Sequence, residues 1–114
     1  MTSLALALAF SPAAGAHAFL QRAEPRVGST LAAPPARIVL HFTEALEASL
    51  CAVTVTGPAG FGGAAGAQPV AGDPRALAVV PRKPLPAGRY LVRWRVVSVD
   101  SHTTQGDFSF DVAP

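Results

Sequence analysis

The stretch RYLVRWRVV, residues 89–97, decides the fold class. Tyr90, Val92, Trp94 and Val96 alternate with Arg93 and Arg95, a period of two that turns one row to a core and the other to water. Outward from there the same period recurs. In RIVLHF, 37–42, the residues Ile38, Leu40 and Phe42 share one face, while Val39 and His41 share the other. In CAVTVTG, 51–57, Cys51, Val53 and Val55 oppose Ala52, Thr54 and Thr56. DFSFDV, 107–112, directs Phe108, Phe110 and Val112 inward. Shorter strands are expected at 19–23 and 76–81.

Turn signals separate these segments: EPRVGS, APPA, GDP and PLPAG. Eleven prolines and ten glycines leave little room for helices, and TEALEASL, 43–50, suits a single turn. The small, nearly uncharged stretch GPAGFGGAAGAQPVAG, 57–72, reads as the longest loop and as a place without a site. No internal repeat is present. Six or seven short alternating strands predict an all-β domain, an antiparallel Greek-key sandwich or small barrel of immunoglobulin-like or cupredoxin-like type. Adhesins, receptors, copper proteins and sugar binders share that architecture, so function must be argued from a site.

The chain of 114 residues has room for one domain. Its opening, MTSLALALAFSPAAGA, has an apolar run followed by Ser-Pro and small residues, the pattern of a secretory signal over 1–16, with the domain at 17–114. The run is too short for a spanning helix, which needs about 20 apolar residues. It departs from the usual signal in having no basic residue before Arg22. Ala14-Gly15-Ala16 and Ala16-His17-Ala18 both satisfy the small-x-small cleavage rule. The first leaves His17 as the mature N-terminus and the second leaves Phe19; the first is favoured, because Phe19 and Leu20 read as part of the opening strand. A net charge of +2 and scattered arginines exclude a nucleic-acid binder. One cysteine excludes an internal disulfide framework. Cys51 reads as a small buried apolar residue, with a soft metal ligand as the alternative.

Three histidines carry the chemistry. His102 stands with Asp100 in VDSH, 99–102, where residues two apart on an extended segment project to one side. A carboxylate oxygen and an imidazole nitrogen can then converge on one cation, although by itself the pair also suits an ordinary turn. His17, as a mature N-terminus, offers its α-amine and its Nδ1 in one six-membered chelate. The amine has an ordinary pKa of about 7.7–8.0, low enough for a metal to displace its proton near neutrality. Two chelating nitrogens, an imidazole and a carboxylate form a tetragonal N/O set suited to Cu(II), whereas zinc favours a tetrahedron. His41 alternates away from the core and reads as structural or as a support behind the ligands. Glu44, at a strand end, is either a weak ligand or a solvated turn residue.

HAFLQRAEPRVGSTLAAPPARIVLHFTEALE, 17–47, followed by YLVRWRVVSVDSHTTQGDFSFDV, 90–112, resembles the CopC family of bacterial periplasmic copper-resistance proteins. The carrying features are the histidine at the expected mature N-terminus, a P…GS turn, an L-H-F-[ST]-E strand, and W-R-V-V-S-x-D-x-H leading to G-x-F-S-F. The resemblance implies a Greek-key β-barrel that binds Cu(II), one per chain, through His17, Asp100 and His102 with Glu44 nearby. It also implies a periplasmic location and a separate CopD-type membrane copper transporter as partner, since the mature chain shows no transmembrane segment. Two departures stand out. The methionine-rich Cu(I) site of some members is absent, because the only methionine is Met1, and Thr103 replaces the proline that often follows the D-x-H histidine.

The expected function is therefore a non-enzymatic protein that captures, buffers or delivers copper for resistance or homeostasis. Two alternatives compete with it. One is a metal-free immunoglobulin-like interaction module, which cleavage before Phe19 would favour. The other is a histidine-brace copper monooxygenase, opposed by a carboxylate that favours Cu(II) and by the inward phase of Trp94 and Tyr90.

Overall fold

The computed structural model describes residues 17–114. The expected signal over 1–16 lies outside the described residues. Eight strands follow in order: β1 (Leu20–Glu24), β2 (Thr30–Leu31), β3 (Ile38–Phe42), β4 (Ala52–Thr56), β5 (Gln68–Val70), β6 (Asp73–Val79), β7 (Gly88–Val97) and β8 (Thr103–Val112). They form two four-stranded sheets, β1-β3-β6-β5 and β2-β8-β7-β4. All pairings are antiparallel except the two-residue β2 along β8. The first five strands alternate between sheets, so the connections cross from layer to layer in the manner of a Greek key. The all-β expectation is met in its sandwich form.

The alternating rows pack where their phase puts them. Ile38, Leu40 and Phe42 of one sheet face Tyr90, Val92, Trp94, Val96, Phe108 and Phe110 of the other, all buried. Arg93 and Arg95 are exposed. Tyr90 stacks on Phe110 with centroids 5.3 Å apart, and Phe42 meets Trp94 edge-on at 5.1 Å. Gly106 pairs with Trp94 across β8 and β7. The absence of a side chain there is required, because a Cβ would lie 2.5 Å from the indole Cζ2.

Three local expectations are revised, and a fourth, the single turn, is met. Within 57–72 the chain forms β5 and a bridge from Ala64 to Pro81. QPV shows no alternation, and its Pro69 is tolerated because β5 is an edge strand. The turn expected in 43–50 is a 3-10 helix, Ala48–Leu50. Val39, on the outward row, is buried in a small second cluster with Ala76 and Ala78. β8 starts at Thr103, so VDSH lies between strands and not on one.

Candidate metal centre

The last rung between β7 and β8 joins Val97 to Thr103, and the five residues 98–102 close the hairpin. Ser98 continues the inward row of Tyr90, Val92, Trp94 and Val96, and is the one fully buried polar residue among the described residues. Buried there, its groups need partners. Its amide donates to the His102 carbonyl at 2.9 Å, and its carbonyl accepts the Ser101 amide at 2.9 Å. Its hydroxyl donates to the Asp100 carboxylate and accepts the His102 amide at 3.3 Å. Ser101 takes a left-handed φ of 71° and reverses the chain between Asp100 and His102. The two side chains do converge, with Asp100 Oδ2 lying 3.3 Å from His102 Nδ1. The cause is a turn, in place of the strand alternation expected from the sequence.

The second part of the site arrives from the other end of the chain. Ahead of β1, Ala18 is completely buried. Its carbonyl accepts a hydrogen bond from the Thr104 hydroxyl of β8. Thr43, just past β3, receives the Phe19 amide on its hydroxyl oxygen at 3.0 Å and donates to the His17 carbonyl at 3.4 Å. The Thr43 amide donates to the Phe19 carbonyl at 2.9 Å. With its backbone so held, the His17 ring lies beside that of His102, with centroids 4.7 Å apart and planes at 59°.

Asp100 and His102 are 44% and 48% exposed, open to an arriving ion. The Ser98 hydroxyl holds the Asp100 carboxyl below the usual aspartate range, against an opposing effect of burial and with lesser help from His102. Imidazole nitrogens bind first-row ions at about 2.0–2.1 Å, a reach that suits two rings at this separation. The structure thus brings His17 to His102 and His102 to Asp100. Glu44 sits half-buried in the bend after Thr43. No hydrogen bond or ion pair among the described residues joins it to the other three. As they stand, no three His, Cys, Asp or Glu side chains of the described residues are grouped closely enough to hold a metal ion. The Asp100 carboxylate is turned toward Ser98 and the His102 ring, so a cation would have to draw it round.

His41 lies apart from this cluster, on the outer face of the first sheet. Its Nε2 is 3.5 Å from Glu24 and its Nδ1 3.7 Å from Asp73, which is the structural reading of that residue. Cys51 is half-buried against the core, and its sulfur engages the Glu47 carbonyl at 3.3 Å and the Val97 amide at 3.4 Å. Burial pushes its thiol pKa up, away from the thiolate a soft ion requires. Reading the sequence did not single out Ser98, Thr43 or Thr104. Ser98 carried a signal, being polar in an otherwise apolar inward row; the threonines carried none.

Two packed sheets with a histidine pair and a carboxylate at one end define a small β-sandwich protein with a candidate metal site. The chain matches the CopC domain over residues 20–113 and belongs to the CopC family. It is 39% identical to copper resistance protein C of Escherichia coli, covering 96% of this chain and 90% of that one. It is 43% identical to the protein of the same name from Xanthomonas campestris pv. juglandis, covering 96% and 87%. Among solved structures it resembles CopC from Methylosinus trichosporium OB3b, with a TM-score of 0.76 and 31% identity over 86% of this chain and 95% of that one. PcoC, described as a methionine-rich copper resistance protein from Escherichia coli, gives 0.71 and 37% over 84% and 98%. These relatives are named for copper resistance and not for a catalysed reaction, in agreement with the non-enzymatic expectation. Family membership favours the copper reading over the metal-free module. No helix among the described residues is long and apolar enough to cross a membrane.

Proposed function

We propose that this protein captures one Cu(II) ion per chain outside the cytoplasm, with His17 as its mature first residue. The observation that carries the reading is the approach of the His17 and His102 rings to 4.7 Å, from opposite ends of the sequence. The His17 amine and Nδ1 form the chelate, His102 supplies a further imidazole, and Asp100 exchanges its contact with His102 for the ion. Glu44 is the spare carboxylate at the rim. The donors are nitrogen and oxygen, which favours Cu(II) over the softer Cu(I). The single methionine is Met1, and the Cys51 sulfur is engaged with backbone, so neither adds a soft ligand.

The role is buffering and delivery of periplasmic copper in resistance, with a separate CopD-type membrane transporter as recipient. The decisive experiment is a native mass spectrum of the exported protein recorded with one equivalent of Cu(II). A chain starting at His17 and retaining one copper supports the reading. A chain starting at Phe19, or one starting at His17 that stays bare, overturns it.

A further inference from the structure

Chain termini are usually poorly ordered unless something ties them down. The three residues ahead of β1 are tied at successive backbone groups by two hydroxyls. Thr43 Oγ1 spans the His17 carbonyl and the Phe19 amide at 3.4 and 3.0 Å, and Thr104 Oγ1 donates to the carbonyl of the buried Ala18 between them. The clamps come from different sheets. Thr43 follows β3, and Thr104 is the second residue of β8, two positions after His102. The strand that begins directly after one imidazole therefore also grips the arm that presents the other.

We propose that Thr43 and Thr104 are positioning residues that set the His17 backbone in the metal-free protein, so that the N-terminal chelate already faces His102 when copper arrives. This rests on the copper reading above. Neither hydroxyl touches the ion; each acts through the arm. An arm ordered in advance has less freedom to lose on binding, which is the general source of affinity through preorganisation. Loss of either hydroxyl lowers Cu(II) affinity about 10–100-fold, the range found when a group supporting metal ligands is removed.

The test uses chains beginning at His17, which contain every described residue. Thr43→Val and Thr104→Val remove the hydroxyls at nearly constant shape. Thr43→Ser and Thr104→Ser keep them, and Thr43→Ala and Thr104→Ala replace any valine variant that does not fold. Three quantities are read: Cu(II) affinity by chelator competition, the Cu(II) electron paramagnetic resonance spectrum, and amide order at Ala18 and Phe19 by nitrogen-15 relaxation without metal. The expected result is weakened binding, an altered or heterogeneous spectrum and a disordered arm in the valine variants, with all three restored by serine. Valine variants with wild-type affinity, spectrum and arm order would overturn the proposal. A wild-type chain that binds no copper would instead sink the copper reading. The order of the metal-free arm would still decide the clamp.

Discussion

The buried hydroxyl of Ser98 donates to the carboxylate of Asp100 and so holds a candidate ligand from underneath. The same oxygen accepts the His102 amide at 3.3 Å, which makes one serine the hub of the turn. Ser98→Ala removes the bond to the Asp100 carboxylate and the one from the His102 amide, at a cost of about 1–3 kcal/mol. Urea unfolding should show a lower midpoint at unchanged slope, and chelator competition a weaker Cu(II) complex.

One residue added ahead of His17 converts the α-amine into an amide and removes one arm of the chelate. A glycine-extended chain should lose more affinity than the about 10–100-fold that follows removal of a group supporting the ligands. Competition titration of the extended chain beside the one starting at His17 measures this. Equal affinities would rule out the amine as a donor.

The four candidate ligands should rank by their place in the structure. His102→Ala and Asp100→Asn should each weaken Cu(II) binding strongly, while Glu44→Gln, which no hydrogen bond or ion pair among the described residues joins to the other three, should change it by a few-fold at most. A Glu44 effect as large as that of His102 would place the carboxylate among the ligands.

Acid should act in two stages. Metal ligands must be free of protons to bind, so acidification should release copper, and is expected to do so before the fold is affected. The fold responds lower down. Ser98 and His102 hold Asp100 below the ordinary aspartate range, and Arg89 does the same for Asp111. For a carboxyl with a depressed folded pKa, the stabilisation is present above the unfolded value and is lost as pH falls through the folded one. Bound copper and melting temperature followed together on acidification should part in that order.

Gly106→Ala should destabilise the sandwich without involving the metal. Its Cβ would enter the indole of Trp94 at 2.5 Å, and overpacking of that kind costs about 1–3 kcal/mol. The chain has one tryptophan, so its fluorescence reports the displacement directly alongside the melting temperature.

The long strands were legible because their burial is one-sided. Tyr90, Val92, Trp94 and Val96 face a core and Arg93 and Arg95 face water, so the pattern itself states the pleat. β2 and β5 were not legible, since two or three residues carry no period and Pro69 argues against a strand. Val39 was assigned outward and is outward, yet it is buried, because Ala76 and Ala78 beside it build a second apolar patch that alternation cannot reveal. At the site, His17, Asp100 and His102 were found as residue types with a spacing. Their convergence depends on the left-handed Ser101 and on hydrogen bonds from Thr43, Thr104 and Ser98. Those are long-range or conformational facts, and threonine at a strand end looks the same in sequence whether or not it clamps anything.

His17 leads into β1 in one sheet, and His102 leads into β8 in the other. An ion held between them is a rivet across the open end of the sandwich. Binding to the folded chain alone stabilises it by mass action, about 2.7 kcal/mol at a free concentration 100 times the dissociation constant. If copper binds there as proposed, the loaded molecule resists proteolysis better than the empty one. On the copper reading proposed above, the emptied chain is the easier one to clear, and the supply of the metal then sets the lifetime of the protein.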